Sequence, residues 1–295
     1  MGPGVVRGAT GVGDGPDTVG AMRVAAVQLQ CVPDAAEVRT RAAGMVERAV
    51  DEGSTLVVLP ELFASLGRRS DMVAAAEPRH GPTVRWASAL ASAHGCWLVA
   101  GSFVERADDG RLFNTACLLD TDGVLVASYR KIHLFDVTVD GATTRESDTF
   151  AAGDEPVVVT LTGLATEPVL GLTTCYDLRF PELYLTEALM GANVIAVPSA
   201  FTAATGRAHW ELLVRARAVE NQVAIVAAGQ WGESPDGIVR HGHSMVVDAW
   251  GTVLAEAGAE GDAVVVADLD LAALDELRTR LPSVANRRPD AYRLA

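Results

Sequence analysis

Val169-Leu-Gly-Leu-Thr-Thr-Cys-Tyr-Asp-Leu-Arg-Phe-Pro-Glu-Leu-Tyr-Leu-Thr-Glu-Ala-Leu-Met190 reads as a strand, a reactive side chain and a helix, in that order. Val169 to Thr174 is an apolar run of strand length, and Cys175 follows it directly. Pro181 suits the first turn of a helix, where its missing N–H costs nothing, and Gly191 can end that helix in a left-handed conformation. Val194 to Pro198 is again a short apolar run. Strand, helix and strand in succession form the unit from which parallel sheets covered by helices are built.

The same alternation extends in both directions. Strands are expected at Arg23 to Gln28, Leu56 to Leu59, Trp97 to Phe103, Leu112 to Leu119, Gly123 to Tyr129, Val157 to Leu161, Val223 to Ala228, His243 to Val247, Val253 to Ala255 and Ala263 to Leu269. Helices are expected at Asp34 to Glu52, Thr83 to His94, Gly206 to Asn221 and Leu271 to Leu281, with Asp34 as an N-cap and Gly53 as a stop. Asp122-Gly123 and Trp250-Gly251 read as hairpin turns. Element order is similar in the two halves, which suggests two stacked sheets in a four-layer α/β arrangement. No linker divides residues 22–295, so one domain is expected there. Residues 1–21 are Gly-rich and are expected to be an unstructured tail.

Composition excludes several classes. The chain has 295 residues, 49% of them apolar and 5% aromatic, enough to build a large core. Its net charge of −14, with no basic cluster beyond short pairs, disfavours nucleic acid as a partner. A small anionic substrate would need local arginines to offset that field. Cys31, Cys96, Cys117 and Cys175 form no C-x-x-C pair, which points to buried thiols in a reducing, cytoplasmic compartment and to no zinc site. No apolar run reaches the roughly 18 residues of a membrane span. Gly8 to Gly15 follows no strand and lacks Gly-Lys-Ser/Thr, so it is not a phosphate loop. His241-x-His243 would share one strand face but has no third ligand type nearby, and no metal site is assigned.

Three positions carry the chemistry. Glu61 follows the buried run ending in Pro60, and Lys131 follows the hairpin strand ending at Tyr129. Cys175 completes the set, so each lies just past the carboxyl end of an expected strand, where α/β sheets place their ligand crevices. Lys131 is also the only lysine; every other cation is arginine. Arginine replaces a surface lysine readily but not a compact, directional ammonium. A thiol needs a base to become a nucleophile, and an ammonium can stabilise the oxyanion that forms. Together the three suffice for acyl transfer through a thioester.

Pro-Glu-Leu-Phe (60–63), Tyr-Arg-Lys-Ile-His-Leu-Phe-Asp (129–136) and Cys-Tyr-Asp-Leu-Arg-Phe-Pro-Glu-Leu (175–183) resemble the signature segments of the nitrilase superfamily of carbon–nitrogen hydrolases. The resemblance runs from residue 22 to about residue 292. It implies a four-layer α-β-β-α sandwich, with Glu61 as general base, Lys131 as oxyanion-stabilising cation and Cys175 as nucleophile. It further implies an oxyanion donor in the Tyr176 N–H, and Glu146 as a second glutamate orienting the lysine. Arg179, Phe201, Arg207, His209 and Trp210 are the substrate-binding candidates. No metal or organic cofactor is implied. A homodimer is, with the C-terminal segment crossing the interface. Within the family the chain looks most like the amidases of deaminated glutathione, and next like ω-amidases acting on α-ketoglutaramate, with another aliphatic amidase or carbamoylase of the superfamily as the remaining alternative. The first two would hydrolyse a small carboxylate-bearing amide, with ammonia as the expected product. A non-catalytic interaction scaffold is the rival from another class.

Overall fold

The computed structural model describes residues 4–7, 21–139 and 142–291. Two large sheets carry the fold. The first has seven strands in the order Gly4–Arg7, Ala263–Asp270, Ala21–Gln28, Leu56–Val58, Trp97–Arg106, Leu112–Leu119 and Leu125–Arg130. The second has six, in the order Val253–Glu256, Met245–Val247, Ala224–Gly229, Val194–Ser199, Val169–Leu172 and Val157–Thr160. Strands joined through helices pair in parallel, as Leu170 with Val194 and Val24 with Leu56. The two expected hairpins pair antiparallel, with Gly123 and Gly251 at positive φ.

Alternation along the strands separates the layers. Val24, Ala26, Leu56 and Val58 face the second sheet and share one core with its Leu170, Leu172, Val197 and Val226. Their neighbours Ala25, Val27 and Val57 face the other way, onto Val38, Met45 and Val46 of the helix Ala35–Asp51 and Leu90 of the helix Pro82–His94. On the outer side of the second sheet, Tyr184 of the helix Pro181–Leu189 and Trp210 and Val214 of the helix Ala203–Asn221 close the fourth layer. Each such side chain contributes about 1.5–3 kcal/mol on burial, so the inter-sheet core is what fixes the strand ends against one another.

Some expectations change. Gly4–Arg7 forms an edge strand parallel to Ala263–Val266, where an unstructured tail was expected; residues 1–3 and 8–20 lie outside the described residues. The helix expected from Gly206 begins at Ala203, because the Thr202 hydroxyl accepts from Thr205 N and caps it earlier. Two small hairpins, Asp136–Val139 with Ala142–Arg145 and Trp231–Glu233 with Val239–His241, have no apolar pattern to announce them.

Candidate active site

Glu61, Lys131 and Cys175 meet. The Glu61 turn is pressed into place by backbone contact: a Cβ on Gly101 would stand 2.0 Å from the Leu59 carbonyl oxygen and 2.1 Å from that of Pro60. Ser102 Oγ accepts from Leu62 N at 2.8 Å, and Gln230 donates to the Glu61 carbonyl at 2.6 Å. The carboxylate is thereby aimed across the gap between the sheets. Its Oε1 accepts from Lys131 Nζ at 2.9 Å and from Asn114 Nδ2 at 2.9 Å. Its Oε2 accepts from Ala200 N at 2.9 Å, an amide just past the end of Val194–Ser199.

Lys131 is fully enclosed at 2% exposure. Its ammonium donates to Glu61 and to both oxygens of Glu146, at 3.0 and 2.7 Å. Glu146 is held in turn by Phe135 N at 2.7 Å and Asn114 Nδ2 at 3.1 Å. Asn114 therefore bridges the two carboxylates that flank the lysine. The strand end before Lys131 is fixed by Arg130, which donates to buried Glu105 through Nε at 3.0 Å and Nη2 at 2.8 Å.

Cys175 opens the 3₁₀ turn Cys175–Arg179 at φ 50°, a left-handed conformation uncommon for a side chain with a Cβ. Asp177 holds this turn. Fully buried, its carboxylate accepts from Thr174 N at 2.8 Å and Tyr129 OH at 2.7 Å on one oxygen. His133 N at 3.0 Å and His133 Nδ1 at 2.8 Å meet the other oxygen. One carboxylate thus ties the cysteine turn to the segment on either side of Lys131.

The electrostatics follow from this packing. Burial raises the Glu61 pKa, but the Lys131 ammonium, the Cys175 thiol and Asn114 together pull it below the ordinary carboxylate range. Burial opposes the charge on Lys131, yet Glu146 and Glu61 hold its pKa well above normal. Burial and then the Glu61 charge push the Cys175 thiol well up, with Lys131 pulling only partly against them. The resting site is carboxylate, ammonium and neutral thiol.

These groups line a cavity of about 280 Å³. Its walls include Leu62, Met72, Phe135, Phe150, Tyr176 and Phe201. Of the five substrate-binding candidates, Phe201 alone is part of this lining. Trp210 lies behind it, ring centroids 5.0 Å apart, and donates Nε1 to the His243 carbonyl at 2.7 Å. The Arg179 guanidinium stands 5.4 Å from the Phe201 ring centroid and 5.8 Å from that of Tyr176, with Nη1 3.3 Å from His209 Nδ1. Arg207 neighbours His241, whose pKa falls to about 4 chiefly through burial, then through His243 and Arg207. None of these four side chains lines the cavity: Trp210 is buried behind Phe201, Arg207 and His209 are exposed on the helix Ala203–Asn221, and Arg179 is half-buried on the 3₁₀ turn. Among the described residues no group of three or more His, Cys, Asp or Glu side chains could hold a metal ion. No described helix is long and apolar enough to cross a membrane.

Sequence reasoning missed Asn114, Asp177 and the Ala200 amide. Asn114 had a signal, an amide beside Thr115 in a strand whose other residues are apolar. Asp177 lay within a quoted motif without a role, and Ala200 acts through its main chain, which residue type does not reveal.

A sandwich of two sheets with thiol, carboxylate and ammonium gathered at converging strand ends defines a hydrolase of the thioester-forming kind. The chain belongs to the carbon–nitrogen hydrolase family, whose model matches residues 23–279. It is 41% identical to the deaminated glutathione amidase of Mus musculus over 277 residues, 91% of this chain and 84% of that protein. It is 39% identical to the omega-amidase NIT2 of Homo sapiens over 271 residues, 92% of this chain and 96% of that protein. The crystal structure of Saccharomyces cerevisiae Nit3, a member of branch 10 of the nitrilase superfamily, superposes with a TM-score of 0.82 at 34% identity. It covers 91% of this chain and 97% of that one. The chain is accordingly a carbon–nitrogen hydrolase of the amidase type.

Proposed function

We propose that this protein hydrolyses a small carboxylate-bearing amide through a Cys175 thioester. The observation that carries the reading is the Glu61 carboxylate. It faces the thiol and is anchored on its other sides by Lys131, Asn114 and Ala200 N. A base held on so many sides has little freedom except toward sulfur. Because Glu61 is a weakened base and Cys175 a reluctant acid, the proton moves only as the S–C bond forms. Lys131 Nζ and Tyr176 N hold the oxyanion, a type of contact that contributes about 2.7–4 kcal/mol per donor in other enzymes. Glu61 passes the proton to the leaving nitrogen and the C–N bond breaks. Water then attacks the thioester, giving one proton to Glu61; the C–S bond breaks and sulfur recovers that proton. Glu146 and Asn114 keep the ammonium aimed.

For substrate, deaminated glutathione is the first reading and α-ketoglutaramate the second, supported by the two sets of relatives. Their leaving groups differ. α-Ketoglutaramate releases ammonia, whereas the amide of deaminated glutathione joins the keto acid to cysteinylglycine, so that dipeptide's amine leaves. The expectation of ammonia release therefore applies to the second substrate alone. Product analysis with both compounds, together with intact-mass detection of an acyl adduct on Cys175, tests the scheme. An adduct at Cys175 that is chased by water supports it, and normal turnover by Cys175→Ala sinks it.

We further read the protein as a cytoplasmic homodimer. Leu189 and Met190 end the helix that follows the nucleophile, and Leu212 and Val219 lie on the next helix. All four are exposed and apolar, as is Trp250. The segment after Leu281 would then cross to the partner. Sedimentation of the full chain checks the assembly.

A further inference from the structure

The cavity carries four cations, and they divide into two kinds. Lys131 is spent on Glu61 and Glu146. Arg240 is spent on Asp236, on the Ala200 carbonyl at 3.1 Å and on Ser234 Oγ at 2.8 Å. Arg69 and Arg145 line the same cavity and are exposed. Neither guanidinium makes a hydrogen bond or ion pair among the described residues. Asp136, whose pKa is held low first by Ser147 and last by the Arg145 charge, has both oxygens engaged by Ser147, at 3.0 Å through N and 2.5 Å through Oγ. Asp148 also lines the cavity and is the one unengaged acid there.

Some exposed arginines meet a carboxylate, as Arg23, Arg111, Arg215 and Arg288 do at 2.7, 2.7, 3.1 and 2.6 Å, and others, such as Arg68, Arg207 and Arg280, form no ion pair among the described residues. Arg69 and Arg145 are of the second kind, and they differ from the rest in lining the cavity. With 38 acids to 24 basic residues and a net charge of −14, the surface would otherwise repel an anion from it. Guanidinium groups grip carboxylates bidentately and hold their charge at every working pH. Their placement also matches the chemistry. Arg145 immediately precedes Glu146, and Arg69 begins the short helix Arg69–Ala74 on the segment that follows Glu61.

We propose that Arg69 and Arg145 form an anion subsite at the cavity mouth that binds a carboxylate of the substrate and so selects anionic over neutral amides. This rests on the amidase reading and adds residues to it. The cavity between mouth and nucleophile is walled by Leu62, Met72, Phe135 and Phe150, which suits an apolar spacer between that carboxylate and the amide.

The test compares glutaramate with pentanamide, an uncharged amide of equal chain length, in the full-length enzyme and in Arg69→Leu, Arg145→Leu and the double variant. The readout is the ratio of kcat/KM values for the two amides, which cancels any loss of folded enzyme. The ratio is expected to fall about threefold in each single variant and about tenfold or more in the double, given what exposed charge pairs contribute. The fall should reside in KM for glutaramate, and Arg145→Lys should recover part of it. A double variant with the wild-type ratio, or a wild type with no preference for glutaramate, overturns the subsite while leaving the amidase reading intact. A wild type that hydrolyses neither amide nor any keto-acid amide overturns both.

Discussion

The floor of the cavity and its mouth are built on opposite rules. On the floor, Glu61, Lys131 and Glu146 are buried or nearly so, and every charged atom among them has a bonding partner. At the mouth, Arg69, Arg145 and Asp148 are exposed and unengaged. A buried charge must be paired or it unfolds the site, whereas an exposed one can wait in water for a ligand. The floor is therefore fixed before substrate arrives and can stabilise only what forms there, the oxyanion and the moving proton. The mouth is where choice among amides is made.

Substitutions can separate the two regions, and the largest effects belong to the floor. Cys175→Ala should reduce turnover by about 10⁴-fold or more, by analogy with other nucleophile deletions. Its circular dichroism should match wild type, since a methyl group fills most of the same space. Lys131→Met comes next, because it leaves Glu61 and Glu146 facing each other without a cation. Loss of one member of a buried pair costs about 3–5 kcal/mol, which denaturant unfolding would read. The pH signature is specific. The raised Lys131 pKa means its contribution is complete below the ordinary lysine range and fades only as pH climbs through the raised value. The lowered Glu61 pKa means its contribution is complete above the ordinary carboxylate range and fades only as pH falls through the lowered value. The wild-type contributions are flat between those limits, whereas the folded variant must keep a proton on its two uncompensated carboxylates, so the stability gap between wild type and Lys131→Met should widen as pH rises above the ordinary carboxylate range.

Tyr129→Phe removes one of the bonds to Asp177 while keeping the ring. A loss of about 1 kcal/mol in stability, with a fall in kcat and little change in KM, would mark Asp177 as setting the cysteine turn. A rise in KM alone would assign that knot to the mouth instead. Glu187→Gln probes the layer behind the nucleophile. Glu187 is fully buried with no well-aligned hydrogen bond to either carboxyl oxygen, and burial, then Asp177, holds its pKa well up against a weaker pull from the Leu172 main chain. In wild type the folded state keeps this proton after the unfolded state has lost it, so stability falls with rising pH above the ordinary carboxylate range, by about 1.4 kcal/mol per pH unit. The variant should lack that slope. The smallest effect belongs to the mouth: Asp148→Asn should lower KM for a carboxylate-bearing amide about twofold, the direction opposite to Arg145→Leu.

Much of the floor was legible in the chain itself. A solitary lysine, a glutamate after Pro60 and a cysteine after an apolar strand were each marked by residue type and by position at a strand end. Glu146 was legible only through the resemblance, since a polar loop offers no period to read. Asn114 sits 53 residues from one carboxylate it bridges and 32 from the other, separations that no local pattern spans. The substrate-binding candidates show the same limit from the other side. Trp210 and His209 belong to the right helix, but the fold spends one on a backbone carbonyl and the other beside Arg179.

Sequence alone determined which reactive groups this protein can bring to a site, because a thiol, a carboxylate and an ammonium are covalent properties of Cys175, Glu61 and Lys131 and alternation fixes which strands carry them. Tertiary structure decided which groups stand between them and which stay free. A buried donor or acceptor must find its partner wherever the packed sheets place one, and that choice exists only once the two layers have closed. Arg69 and Arg145 were two arginines among many until the cavity formed around them.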